Sequence, residues 1–243
     1  MSGRLAMWSG PRNISTAMMR AWENRTDTTV WDEPLYAHYL ATTGLDHPMR
    51  DEVIAGGLAD WRDVAARATG PIPDGATVFY QKHMTHHLLP DIGREWFKEL
   101  THVLLLRDPR EVLLSYRRAM ESVTLEDIGF PQQAELFDWL SEHQRQAPLV
   151  IDSGDFLRDP EPFLRKLCEH VGIPFEDRML AWPAGRRDSD GAWAPHWYAS
   201  VEASTGFAPW QPREGKLTGE LREIEIAARV YYDRMFKHRL RLS

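Results

Sequence analysis

RLAMWSGPRNISTAMMRAW, residues 4–22, opens with a short apolar run, breaks at Ser9-Gly10-Pro11-Arg12-Asn13 and passes at once into an amphipathic segment. A strand feeding a helix through so tight a turn aims the helix's first backbone N–H groups, with Arg12 beside them, at one point. That is the construction of an anion site. Ser15 and Thr16 stand where their hydroxyls join those donors, while Ala17, Met18, Ala21 and Trp22 recur at helical spacing to bury the far side against a sheet. The second glycine and the Gly-Lys-Ser/Thr ending of a Walker A loop are absent, so this stretch alone also allows a capped turn without a ligand.

The strand–helix alternation continues outward. Thr28 to Trp31 is a β-branched and aromatic run that stops at Asp32-Glu33-Pro34, and it reads as a second strand with acids at its tip. Val53, Ile54, Leu58, Trp61, Val64, Ala65 and Ala68 predict one helix over residues 50–69, ended by the Pro/Gly cluster from Gly70 to Gly75. Thr77 to Gln81 is a third strand running into Lys82-His83, and His102 to Leu106 is a fourth of buried type. Asp108-Pro109-Arg110-Glu111 opens a helix with an N-cap, a first-turn proline and an acid. A helix near Ala134 to Gln146 precedes a fifth strand, Leu149 to Asp152, and Asp159-Pro160 caps a helix carrying Leu164, Leu167 and Val171. Residues 182–216, rich in Trp, Pro, Gly and charge, predict a long loop folded over a site; a last helix presents Leu221, Ile224, Ala228, Tyr231 and Met235 on one face. The expected class is α/β, a parallel sheet covered on both faces with ligand residues at the carboxyl ends of its strands.

Composition narrows the function. With 243 residues, 43% of them hydrophobic, the chain can bury a full core and is expected to form a single domain over residues 1–243. A net charge of −7 argues against non-specific attraction to nucleic acid, yet leaves room for a local basic pocket that takes one small anion. Cys168 is the only cysteine, which excludes an internal disulfide and suits a reducing compartment. No window approaches the length of an apolar membrane span, so a cytoplasmic protein without membrane attachment is expected; the oligomeric state is not legible.

At the fourth strand's end, Leu104-Leu105-Leu106-Arg107-Asp108-Pro109-Arg110 places a guanidinium where the apolar run stops, and Ser115 follows two helical turns later. Arg107 and Ser115 suit joint binding of a phosphate, the fork giving two charge-assisted bonds and the hydroxyl a third. In these segments the sequence resembles the sulfotransferases that use phosphoadenosine phosphosulfate (PAPS) as donor. Their first loop, of the form Lys/Arg-Ser-Gly-Thr-Thr, is similar to Arg12-Asn13-Ile14-Ser15-Thr16, with Asn13 and Ile14 replacing the usual Ser-Gly. The stretch LLLRDPREVLLSYRRA resembles the family's 3′-phosphate segment and maps its Arg and Ser onto Arg107 and Ser115. Ile151 to Pro160, followed by a Leu-rich helix and Val171-Gly172-Ile173-Pro174, is similar to a further family stretch, and Arg213-Glu214-Gly215-Lys216 is a loose echo of the loop that closes over the 3′-phosphate. The likeness spans most of the chain in order.

The resemblance implies a P-loop-NTPase-like three-layer fold with a C-terminal lid loop, PAPS as donor, phosphoadenosine phosphate (PAP) as product, and a small-molecule acceptor bearing a hydroxyl or amine. It implies donor binding by Gly10, Pro11, Arg12, Asn13, Ile14, Ser15, Thr16, Arg107, Ser115, Arg213, Gly215 and Lys216. Sulfuryl transfer is an in-line displacement on sulfur that requires a fixed anionic donor, a base for the acceptor proton and stabilisation of the leaving phosphate, for which Arg12 is the candidate. The family's base is a Glu just after the second strand or a His just after the third, and both are present as Glu33 and His83. Glu33 is favoured because Pro34 fixes the chain behind it. Trp31, Tyr36, Lys82, His87 and Trp197 are candidates for contact with the acceptor or the transferring group, among further aromatics Tyr39, Trp193, Phe207 and Trp210. The His83, His86, His87 cluster lacks companion ligands at metal spacing, and no metal is expected. Two other classes share these features: a P-loop-type phosphotransferase, and a nucleotide-binding module of the same fold without turnover.

Overall fold

The computed structural model describes residues 3–117 and 122–242; the last two residues of the LLLRDPREVLLSYRRA stretch lie outside these. The five strands are β1 (Gly3–Ser9), β2 (Thr28–Asp32), β3 (Val78–Met84), β4 (Thr101–Leu106) and β5 (Leu149–Asp152). They pair in parallel in the order β2-β3-β1-β4-β5. The helices are α1 (Ser15–Glu23), α2 (Tyr36–Thr43), α3 (Arg50–Gly56), α4 (Trp61–Thr69), α5 (Pro109–Tyr116), α6 (Phe130–His143), α7 (Ser153–Arg158), α8 (Pro160–Val171), α9 (Ala194–Trp197), α10 (Ala199–Glu202) and α11 (Glu220–Phe236). No described helix is long and apolar enough to cross a membrane.

Strand alternation divides the core in two. Leu5, Met7, Tyr80, Val103, Leu105 and Ile151 bury against Met18, Met19 and Trp22 of α1 and Leu164 and Leu167 of α8. Ala6, Trp8, Leu104, Leu106 and Val150 face the other way, onto α4, α5, α6 and α11. The chain leaves β1 for one face through α1 and leaves β4 for the other through α5, which opens a crevice between the tips of these neighbouring strands. In an open α/β sheet that crevice is where ligands bind.

All five strands stand where the sequence predicts them, and β3 runs further than read, to Met84. The helix expected over residues 50–69 is two, α3 and α4. The backbone turns extended at Gly57, where a Cβ would lie 2.5 Å from that of Ala37 on α2, and the Asp60 side chain then caps α4 by accepting from Arg62 N. Helix α2, unread in the sequence, is buried from Tyr36 to Leu40. Asp159 makes no side-chain cap to α8. Residues 182–216 are largely irregular but contain α9 and α10, and they divide between two places on the crevice.

Gly10 is required by close approach: a Cβ on it would lie 2.5 Å from the Ile128 carbonyl oxygen, a backbone atom that cannot rotate away. Gly10→Ala is expected to lower stability by about 1–3 kcal/mol, as overpacking does. Denaturant unfolding of the variant at a wild-type midpoint would contradict this packing.

Candidate active site

At the tip of β1, Arg12 takes a φ of 57°, in the left-handed region that residues with a Cβ enter at a cost. Two side-chain bonds hold it there. Arg107 Nη1 donates to the Arg12 carbonyl oxygen at 2.7 Å, and Asn13 Nδ2 donates to the Leu105 carbonyl oxygen of β4 at 2.9 Å. The loop is thus tied to the neighbouring strand, and Asn13 in place of a serine has a structural reason. The Arg12 side chain turns over and Nε donates to Ser115 Oγ at 3.1 Å. No side chain caps the start of α1, where Ser15 is buried, so its first-turn N–H groups keep their capacity for an anion.

Arg213 reaches the same place from the far end of the irregular segment. Its backbone N donates to Glu111 Oε1 at 2.8 Å, and its Nε lies 3.8 Å from Glu111 Oε2, which is also 3.6 Å from Arg107 Nη2. Arg213 Nε and Glu111 Oε2 are buried and make no hydrogen bond among the described residues. Among the described residues, Glu111 is the carboxylate that these guanidiniums meet. Burial, then repulsion from Arg213, lowers the Arg12 pKa, and burial, with Arg213 and Arg12 adding to it, pulls Arg107 down to about 10 against the raising effect of Glu111. Beside Arg107 and Glu111 lies a cavity of about 260 Å³ whose other walls include the charged groups of Asp108, Arg110, Asp152, Asp155 and Arg158 together with Trp210.

At the tips of β2 and β3 a second cluster is buried. Lys82 Nζ donates to Asp32 Oδ1 at 2.8 Å, to Glu33 Oε1 at 2.5 Å and to Tyr198 Oη at 2.9 Å, which uses all three of its protons. Tyr198 in turn donates to Asp32 Oδ2 at 2.7 Å and accepts from Trp193 Nε1 at 3.1 Å. Burial opposes the Lys82 ammonium, yet Asp32 and Glu33 raise its pKa well above the ordinary lysine value. Burial raises the Glu33 carboxyl, Lys82 opposes this, and the neighbouring Asp32 charge adds to it. Glu33 also has a positive φ, 42°, so both residues that begin the cleft's loops are backbone outliers. Its second oxygen lies 3.9 Å from Nδ1 of His87, which is 2% exposed, stacks on Tyr36 at 4.5 Å and Tyr39 at 4.7 Å, and is kept neutral by burial.

A family model described as a sulfotransferase domain matches residues 3–239. The chain belongs to the sulfotransferase family. Among solved structures, it is similar to a sulfotransferase domain from the curacin biosynthetic pathway, with 17% identity, a TM-score of 0.55 and coverage of 96% of this chain and 98% of that one. It is also similar to a sulfotransferase from Alicyclobacillus acidocaldarius, at 11% identity and a TM-score of 0.56 over 99% and 98% of the two chains. These likenesses bear out the α/β fold. Two Arabidopsis thaliana proteins, branched-chain-amino-acid aminotransferase-like proteins 1 and 2, are 36% and 35% identical over 91% and 83% of this chain. The chain spans only 39% and 35% of their lengths.

On this sulfotransferase fold the residues singled out from the sequence do not all come together. Arg12, Arg107, Ser115 and Arg213 converge, although Arg12 lies at the Ser115 end rather than opposite it. Gly10, Pro11, Asn13, Ile14, Ser15 and Thr16 form the loop and first turn below them; Gly215 and Lys216 are exposed beyond Arg213. Glu33, Lys82, Tyr36 and His87 meet at the second cluster, and Trp197 lies between the two, its ring 6.0 Å from the Arg12 guanidinium carbon. Others point away. Trp31 alternates with Asp32 and so faces the opposite side of the sheet, stacked on Phe79 and Arg67. Phe207 packs in the core against Phe156 and Trp182, and Trp210 walls the cavity beside Arg107.

His83 is corrected most sharply. Because β3 extends to Met84, this residue is inside the strand, on the face opposite Lys82; it is fully buried, stacks on Trp8 at 4.3 Å and has a pKa pushed down to about 3 by burial. The histidine that follows the third strand and reaches the acids is His87. Sequence reasoning missed Tyr198, which lies in a segment without periodicity, and Glu111, whose role depends on a loop from a hundred residues away. Among the described residues no group of three or more His, Cys, Asp or Glu is disposed to hold a metal ion.

Burial of imidazoles makes stability pH-dependent. The folded pKa values of His83, His86 and His102 fall to about 3, 3 and 4, and that of His87 falls well below normal, whereas the unfolded chain takes up these protons near 6.5. Their contribution is complete above the unfolded value and is lost as pH falls toward the folded ones, at up to about 1.4 kcal/mol per pH unit for each imidazole. Denaturant unfolding between pH 7 and 4.5 should therefore show a steep fall; a flat profile would contradict neutral, buried rings.

Proposed function

We propose that residues 1–243 act as one PAPS-dependent sulfotransferase domain with a small-molecule acceptor bearing a hydroxyl or amine. The observation that carries the donor assignment is the convergence of Arg107 and Arg213 on Arg12, which bonds Ser115, with Glu111 alone to neutralise them among the described residues. The residues fit the group: an excess of guanidinium over carboxylate among the described residues, forked donors, a hydroxyl and the unpartnered Arg213 Nε suit a phosphate. The cavity beside Arg107 offers the adjoining nucleoside an aromatic wall in Trp210. PAPS supplies the sulfuryl group, whose S–O bond to the phosphate breaks as the acceptor oxygen or nitrogen bonds to sulfur.

The chain's own residues divide that work. The uncapped start of α1 and Arg12 stabilise the negative charge that grows on the leaving phosphate. Glu33 accepts the acceptor's proton. Its raised pKa makes it the stronger base, and Lys82, at 2.5 Å, keeps it ionised and oriented. His87, neutral and held between two tyrosine rings, lines the approach to the free Glu33 oxygen.

Thermal stabilisation by PAP, lost in Arg107→Ala, is the expected ligand response; stabilisation by ATP instead would favour the phosphotransferase, stabilisation by neither would overturn the donor reading, and stabilisation by PAP without turnover on any acceptor would favour the binding module. In a screen of hydroxylated and amine acceptors with labelled donor, Glu33→Gln should lower turnover by about 10²-fold or more while PAP affinity stays within about threefold. A wild-type rate in Glu33→Gln would remove that carboxylate from the mechanism.

A further inference from the structure

Arg110 and Glu111 occupy consecutive places in the first turn of α5, and both grip the segment that carries Arg213. Arg110 Nη1 donates to the Arg213 carbonyl oxygen at 3.0 Å and Nη2 to the Gly215 carbonyl oxygen at 2.6 Å, while Glu111 Oε1 accepts from Arg213 N. Three backbone groups within three residues are thereby fixed by two side chains from one helical turn. The turn itself is anchored: Asp108 caps it by accepting from Arg110 N at 2.9 Å, and its two carboxylate oxygens take both ends of the Arg229 fork at 2.8 and 2.9 Å. Arg229 stands on α11, which follows the Arg213 segment in the chain, so that segment and the helix after it are both tied to this turn of α5.

We propose that Arg110 is a positioning residue of the donor site, acting through Arg213, and that Glu111 completes the clamp. This rests on the donor reading given above. The guanidinium of Arg110 is spent on carbonyl oxygens instead of facing Ser115, so its contribution to ligand affinity runs through the geometry of the 213–215 segment. Such a clamp fixes Arg213 before the ligand arrives. The ordering of a flexible arginine loop is then met on folding, and the ligand gains the interaction without that loss. Without the clamp, repulsion among Arg12, Arg107 and Arg213 moves Arg213, on the one unsupported segment of the three, out of reach.

The test is calorimetric titration with PAP of the full chain and four variants: Arg213→Ala, Arg110→Met, Arg110→Lys and the double variant Arg110→Met/Arg213→Ala. Arg213→Ala should weaken PAP by about 10- to 100-fold, as loss of a charge-assisted contact does, and each Arg110 variant by about 10-fold. In the Arg213→Ala background, Arg110→Met should cost less than about twofold, since the residue it positions is gone. Equal losses in both backgrounds overturn the proposal. So does wild-type affinity in Arg110→Lys, which keeps the charge and loses the fork. A second arm needs no ligand: amide exchange at residues 213–215 should quicken in Arg110→Lys relative to the unaltered chain, and unchanged exchange overturns the clamp. Failure of the unaltered chain to bind PAP would overturn the donor reading, and the exchange arm would then decide the clamp by itself.

Discussion

The hydrogen bond from Arg107 to the Arg12 carbonyl is the constraint on which the cleft depends. It joins the tips of β1 and β4, holds Arg12 in a left-handed conformation and brings two like charges together. Like charges a few ångströms apart repel by ~1–4 kcal/mol at dielectrics between those of water and a protein surface. Such a cluster persists because each member is held by backbone or by a neighbour: Arg12 by its loop and Ser115, Arg107 by its strand and Glu111, Arg213 by its backbone bond to Glu111. The fold therefore maintains an unfavourable charge distribution, which under the proposed reading an anionic donor relieves. Binding sites commonly carry this kind of stored cost, since a site that neutralised itself would have little left to offer a ligand.

The second cluster solves the opposite problem. Burying an ammonium and two carboxylates costs several kcal/mol per ion unless every proton and lone pair is engaged. Lys82 meets that condition, with three donors on three oxygens, and Tyr198 completes it from a segment over a hundred residues away. The consequence reaches the irregular segment itself: Trp193, Ala194 and Tyr198 pack on Tyr36, Tyr39 and Leu40 of α2 and form a small core of their own. A stretch with no strand or helix periodicity is thus ordered by this network and a patch of aromatic contacts, and by the buried ion pair of Asp190 with Arg20 of α1.

The parts legible in the sequence are those fixed by local rules. Strand runs bounded by Gly, Pro and Asp, the Asp108 cap and the amphipathic face of α11 depend on residues near one another in the chain. Arg12, Arg107 and Ser115 could be found because strand ends are where an open sheet gathers its ligands. What could not be read is what depends on a single residue of register or on distant packing. Two further residues in β3 put His83 in the core and leave His87 to meet the acids, and strand alternation sends Trp31 away from Asp32. Lys82 was visible, but its engagement by Tyr198 was not, since no spacing rule links them. Trp210 was grouped with the acceptor aromatics by composition; the chain's path from Leu157, which its backbone N contacts, assigns it to the other wall.

The two clusters make the cleft electrically polar. At one end three guanidiniums face one carboxylate; at the other one ammonium faces two carboxylates, with Trp197 between them. Under the proposed reading, group transfer moves negative charge from the acceptor toward the leaving phosphate, and a field of this sense favours that movement at each stage. On that reading the carboxylate end draws the proton off, and Arg12 with the start of α1 receives the charge. Because both ends are held by hydrogen-bonded frames, the field is already oriented before reaction and little reorganisation is needed. Exchanging the order of the two ends would leave every residue type in place and oppose the transfer, so catalytic sense here resides in which strand tips carry the acids and which the arginines.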